Sequence, residues 1–323
     1  MTTMRTAPPE SKRHADHCWQ VPTCRVGNSR IPRLFLGDHG FLSKYGSRLS
    51  DSTVTARMKH ALAQATVGLA AGEPRCLDAA TEAFLDLGRP PHVLFHADVP
   101  LTVNGRRVRF SRCMSSLYVA LRARVAGFAG DPVFGQFLSR FAAKRPLSTL
   151  EIDRIGVHEH SLEADLSRVI ESRPCAVTVG GDCLDFLLAS GRFDLVSEVM
   201  TRYRRATKES GSSLAWGTYV GCLTDSEGQR AAFGQSFDAI MVPVNLPGSG
   251  MLPNPASLLT WARRFEVPII AMHPLASGVV PVREGLAYLR EEGAVSVAVV
   301  GASTAAHIDD LANAARLTWE ENR

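Results

Sequence analysis

Carboxylates and imidazoles close one short apolar run after another in this chain, and such groups can move protons. Asp78 ends the run Arg75–Asp78, His96 ends His92–His96 with Asp98 two residues beyond, and His158 follows Ile152–Val157 with His160 close behind. Two carboxylates in one partly buried mouth resist ionising together, so one is expected as a raised-pKa acid while the other, or His158, accepts the proton. That chemistry suits elimination, isomerisation or cyclisation. Asp78, Asp98 and His158 are therefore the catalytic candidates. His39, His96, His160, Tyr219, Asn245, Met272 and His273 also stand at or near run ends and are expected to line the substrate pocket. Tyr45, in Lys44-Tyr45-Gly46, joins them as a phenol that a folded-back loop would bring over the mouth. In an extended strand His158 and His160 would point the same way and could share a divalent metal. Hydrogen bonding is the commoner role for such histidines, so no metal is expected.

Eight apolar runs alternate with helix-length segments from Leu34 onward, the pattern of parallel strands joined by helical crossovers. They are Leu34–Gly37, Arg75–Asp78, His92–His96, Ile152–Val157, Ser213–Trp216, Phe237–Val242, Val267–Met272 and Val295–Val300. Eight strands, each followed by a helix, predict an α/β chain closed into a (β/α)8 TIM barrel, which places catalytic groups at the C-terminal ends of its strands. A ninth run, Cys175–Val179, is assigned to an irregular insertion. Residues 1–30, polar and without periodicity, read as a flexible N-terminal extension, and residues 31–323 as a single barrel domain. Gly180-Gly181-Asp182 has the wrong glycine spacing for a phosphate loop and reads as a turn and helix cap. Pro247–Gly250 reads as a lid over the pocket.

With 323 residues, 45% hydrophobic and 21% charged, the chain is too apolar to be disordered. Its 36 Lys and Arg against 32 Asp and Glu look scattered, so nucleic-acid binding is not expected. Arg106, Arg107 and Arg109 read as a solvated loop able to attract an acidic substrate. No apolar run approaches the roughly 20 residues needed to cross a bilayer, and the first residues have no secretory pattern. Seven irregularly spaced cysteines suit a reducing compartment, so a cytoplasmic protein acting on a small molecule is expected. Cys18 and Cys24, near His14 and His17, match no familiar zinc spacing.

Two C-terminal segments resemble the aldo-keto reductase superfamily. Ile269–Gly278 is similar to that family's seventh strand and its Pro-Leu-x-x-Gly loop, and Val299–Leu311 to its eighth strand and Gly-Ala-Ser turn. Leu36-Gly37, Cys76–Asp78, Ile155–His158 and Phe237–Leu246 match weakly upstream in the same order. The resemblance implies a barrel whose C-terminal face holds NADPH and an Asp-Tyr-Lys-His tetrad. Asp78 and His158 fit the tetrad's Asp and His. The Tyr position falls on Ala83, beside Phe84, and the Lys position falls on Asp98.

The cofactor half of the site has drifted as well. The positions that would hold and stack the nicotinamide are Tyr219-Val220, Met241 and Met272. Only the phosphate end is kept, on Leu275, Gly301, Ser303 and Thr304, and without its usual Arg. The resemblance thus implies a divergent small-molecule enzyme working by acid-base chemistry of lyase, isomerase or cyclase type. Its cofactor is none or unknown, with NADP(H) the family's candidate. Two alternatives stand beside it: a carbonyl reductase using Tyr45 or Tyr219 as proton donor, and a silent barrel that binds a ligand or partner.

Overall fold

The computed structural model describes residues 19–38, 43–44, 47–89, 91–97, 99–224, 228–230 and 237–320. A closed barrel of eight parallel strands is formed by β1 (Leu34–Gly37), β2 (Gly68–Ala71), β3 (Val93–Ala97), β4 (Ala176–Gly180), β5 (Ser213–Gly217), β6 (Ala239–Pro243), β7 (Ile269–Met272) and β8 (Val295–Gly301). β8 closes on β1 with Ala298 opposite Leu34. Most of these strands are buried at every position, which is why they read as continuous apolar runs.

Two of the expected strands are replaced. Arg75–Asp78 lies in helix α2 (Pro74–Asp86), and the second barrel strand is Gly68–Ala71. Pro74 opens that helix, where its missing N–H costs nothing. β2 escapes recognition because its small residues fit under bulkier neighbours: a side chain at Gly68 would run into the Phe35 ring at 2.3 Å. The fourth strand is Ala176–Gly180, the run first assigned to an insertion. Ile155–Val157 instead pairs antiparallel with Leu101–Val103, outside the barrel. β4 and β5 meet closely at their upper ends. Gly180 sits at φ +129°, and a Cβ there would stand 2.0 Å from the Gly217 carbonyl oxygen.

Of the extension expected over residues 1–30, the part from 23 to 30 belongs to the fold, and residues 1–18 lie outside the described residues. Thr23–Val26 and Ser29–Pro32 form a hairpin with Val26 and Ile31 fully buried. The Ser213 hydroxyl donates to the Val26 carbonyl at 2.6 Å, and Gly27 packs on Asp238. Ser213 opens β5 and Asp238 precedes β6, so the hairpin seals the N-terminal end of the barrel. Apolar burial at Val26 and Ile31 outweighs the polar composition that suggested a tail.

Helix α1 (Asp51–Gln64) follows β1, and its first turn is capped by the Ser50 hydroxyl. Between β3 and β4 the chain makes its longest excursion. It contains the Leu101–Val103/Arg106–Arg107 hairpin, α3 (Phe110–Arg124), a 3-10 turn at Phe128–Gly130, α4 (Phe134–Ser139), α5 (Thr149–Asp153) and the crossover helix α6 (Glu159–Ser172). Then come α7 (Asp182–Ala189), α8 (Phe193–Ser210), α9 (Pro255–Arg263), α10 (Val282–Glu291) and α11 (Ala305–Glu320). α3 packs on α7, which rises from the end of β4, while α6 packs on α8 in the outer ring. No described helix is long and apolar enough to cross a membrane.

Candidate active site

The C-terminal mouth is organised around a buried carboxylate. Asp185 on α7 is fully buried and accepts the Thr218 hydroxyl at 2.5 Å and the Tyr219 N–H at 2.8 Å. The Thr218 oxygen in turn accepts the N–H groups of Val220 and Gly221. The loop leaving β5 is thereby fixed by charge-assisted bonds inside a dry region, where such bonds are strongest. This fixes where the Tyr219 phenol goes. Its hydroxyl hydrogen-bonds His273 Nε2, and the two rings lie 5.8 Å apart at 38°. His273 stands directly after β7 with φ +53°, a left-handed backbone that is uncommon for a side chain of this size and turns the ring toward β5.

The excursion between β3 and β4 covers this pair. The Phe134 ring lies flat on Tyr219, with centroids 3.9 Å apart at 9°. Val133 packs against Ala276 and Val280 in the segment after β7. Asp131 holds the N–H groups of Val133, Phe134 and Gly135 through one oxygen, and with the other accepts the Gly250 N–H after β6 at 2.6 Å. Phe134, Tyr219 and Met272 are consequently buried.

The expected site residues divide sharply. Tyr219 and His273 are brought together, and Met272 stands beside them at the end of β7. His96 is exposed at the upper end of β3, its ring 3.8 Å from where a Cβ on Gly181 would lie. His39, Tyr45 and Asp98 fall outside the described residues. Asp78 is not at the mouth: it is exposed on α2, because its run is a helix and not a strand. His158 caps α6, its Nδ1 accepting the Ser161 N–H at 3.3 Å and meeting the Ser161 hydroxyl at 2.8 Å. His160 is exposed in the first turn of the same helix. Helical geometry sends two residues so spaced to different faces, so the common direction that a strand would give them is absent. Among the described residues no three His, Cys, Asp or Glu side chains gather as a metal site.

Asn245 is buried but serves its own loop, donating to the Ser249 carbonyl and accepting the Ser249 N–H. The Pro247–Gly250 segment is thus held by Asn245 and Asp131 and is part of the closed mouth. Cysteine chemistry finds no support either. Burial pushes the Cys76 and Cys175 thiols up to about 12, and every described cysteine is free.

Asp185 and Phe134 are the two residues that sequence reasoning missed. Asp185 follows Gly180-Gly181, but only the barrel shows that it faces the loop after β5. Phe134 lies far from any strand end, and nothing in its local sequence marks it as a cover.

The positions expected to hold NADP(H) can be tested against this geometry. Thr304 spends its oxygen capping α11 through the His307 N–H, and the Ser303 hydroxyl meets His307 Nδ1 at 3.2 Å. From Ala302 to Ala315 there is no Lys or Arg, while Asp309 and Asp310 are both present. Leu275 begins a turn, its carbonyl accepting the N–H groups of Gly278 and Val280, and Gly301 is exposed at the end of β8. Asp309 is paired with His60 Nε2 at 2.7 Å, so residues 302–315 supply no Lys or Arg to a phosphate. The positions that the resemblance gives to the phosphate end of NADP(H) thus lack a Lys or Arg partner.

No protein-family model and no curated protein matches the sequence. Among solved structures, the chain is similar to a crystal structure from Pseudomonas aeruginosa provisionally assigned as an aldo-keto reductase, at 18% identity and a TM-score of 0.52. The match covers 92% of this chain and 95% of that one. A second P. aeruginosa structure with the same provisional assignment matches at 18% identity over 91% and 94% of the two chains, with a TM-score of 0.48. A glycoside hydrolase family 3 β-N-acetylglucosaminidase from Paenibacillus matches at 11% identity over 90% and 57%, with a TM-score of 0.42. These last two likenesses are too loose to support an argument. The first extends nearly end to end on both chains, and with the eight-stranded closure it shows that this chain shares the (β/α)8 barrel fold of that structure.

Proposed function

We propose that the chain is an enzyme that performs acid-base chemistry on a small molecule, of lyase, isomerase or cyclase type, with Tyr219 and His273 as its proton-transfer pair. The observation that carries this reading is the hydrogen bond between the Tyr219 hydroxyl and His273 Nε2 at the C-terminal ends of β5 and β7. A substrate oxygen arriving at the phenol takes the Tyr219 proton, and protonated His273 returns a proton from Nε2 to the phenolate oxygen. A carbonyl polarised in this way loses a neighbouring C–H proton more readily. His96, on the rim of the same mouth, and Asp98, two residues after it in sequence, are the proposed acceptors. Asp78 and His158, which sequence reasoning placed beside Asp98, have no part in this arrangement.

The test is hydrogen exchange into a panel of small ketones and keto acids in D2O, followed by NMR. The native protein exchanges protons next to the carbonyl, and Tyr219→Phe and His273→Gln each lower that rate by about 10²–10⁴-fold. Equal rates in the native protein and both variants would refute the pair. Saturable NADPH binding at micromolar concentration would overturn the non-redox reading in favour of carbonyl reduction.

A further inference from the structure

We infer that the substrate of this site is an anionic molecule with a flat, conjugated or aromatic portion, an assignment that rests on the proposed site at Tyr219 and His273. Two independent observations lead there. The first is charge. Residues 101–150 hold nine Lys and Arg and a single acid, Asp131, a formal +8 in a chain of net +4, so the remaining residues sum to −4. The cations are therefore not scattered, as a whole-chain count suggested. Among these nine only Arg112 makes an ion pair among the described residues, with Glu151, and the other eight are exposed.

This is the same segment that closes the mouth. Its Asp131, Val133 and Phe134 touch the loops after β6, β7 and β5. The sole acid is consumed there in holding backbone N–H groups. A cover carrying an excess of one sign of charge raises the local concentration of the opposite sign and speeds its arrival. An anionic substrate is drawn to the mouth, and a cationic one is repelled.

The second observation is shape. The face of Tyr219 is occupied by a ring lying parallel at 3.9 Å, and that ring belongs to the excursion rather than to the barrel. When the cover shifts, the vacated space is a slot one ring thick, floored by a phenol whose hydroxyl is already bonded to His273. A planar group fills such a slot with the same stacking energy that Phe134 gives up. Stacked there, it holds its polar end near the Tyr219 oxygen.

Binding of 2-naphthoate, followed by its own fluorescence, is compared with binding of the neutral isostere 2-naphthamide. Naphthoate is expected to bind at least about tenfold more tightly at low salt, with the preference shrinking as salt is raised. The surface variant Arg106→Glu/Arg107→Glu/Arg109→Glu, whose exposed positions leave packing untouched, should abolish the preference. Phe134→Ala should tighten both ligands by opening the slot. Equal affinity for the two probes, a salt-independent preference, or no response to the arginine reversal would each overturn the assignment. So would a mixed-sequence oligonucleotide that binds in place of naphthoate and is lost in the same variant. Tyr219→Phe separates this inference from the proposed chemistry: it keeps the ring, so naphthoate still binds, while the proton exchange described above is lost.

Discussion

Phe134→Ala probes the closure of the mouth in energetic units. The Phe134 side chain is 2% exposed and lies against Tyr219 at 3.9 Å and against Phe128 at 5.8 Å, the second contact edge-on at 74°. Withdrawing a buried phenyl ring costs about 1.5–3 kcal/mol in transfer free energy. The cavity it leaves raises the total to about 3–5 kcal/mol if the surroundings do not collapse. For a chain of this length that corresponds to a fall in Tm of about 4–7 °C. Calorimetry reads the total, but a double-mutant cycle with Tyr219→Leu isolates the stack itself. A coupling of about 0.5–1.5 kcal/mol is expected, the usual strength of an aromatic pair beyond its buried area. Single and double variants that add to within about 0.3 kcal/mol would mean that Phe134 does not rest on Tyr219, and the closed mouth would be refuted along with the slot inferred from it.

Three further outcomes follow from other parts of the fold. Arg112 and the Ser148 cap hold the Glu151 carboxyl at about 2, below its ordinary 4.5, so its contribution to stability is complete above pH 4.5 and lost as the pH falls toward 2. Glu151→Gln should lower stability in urea melts near neutrality and flatten that acid limb, so that native and variant melts converge as the pH approaches 2. Gly180→Ala must push a methyl group into the Gly217 carbonyl oxygen, so β4 and β5 should separate, and soluble expression or Tm should fall sharply; a native-like Tm would contradict the described register. Asp185→Asn places an amide N–H₂ where two donors now converge, and leaving one of them unsatisfied costs about 1–3 kcal/mol. Its proton-exchange activity should fall further than its stability does, since the Tyr219 loop loses its anchor, and an unchanged rate would remove Asp185 from the positioning of Tyr219.

The alternation of apolar runs and helices was enough to predict a (β/α)8 barrel, because strands buried on both faces must be apolar throughout, and six of the eight strands were legible for that reason. The two misplacements have one cause. Gly68–Ala71 is a strand made of residues that favour other structures, and it holds only because Phe35 and its barrel neighbours occupy the space around it. Ile155–Val157 has strand-like residues but is only three residues long, half-buried, and paired to a hairpin outside the barrel. Local composition measures propensity, whereas strand membership here is settled by neighbours distant in sequence.

The same division governs the site. Residue types at run ends pointed to Tyr219 and His273, but their hydrogen bond joins residues 54 apart in sequence and exists only because the barrel sets β5 and β7 on opposite sides of β6. Asp78 was misread because its helix was taken for a strand, and His158 because its strand lies outside the barrel and its ring caps a helix. Residues 101–150, which supply Asp131, Val133 and Phe134 to the mouth, carried a visible signal, nine cations against one acid, yet charge alone has no direction. Composition set what this chain can bury and what charge it carries, since those depend on residue type alone. Which of its polar groups meet was decided by barrel closure, because that contact is bought by burial spread over the whole core and not by any local preference.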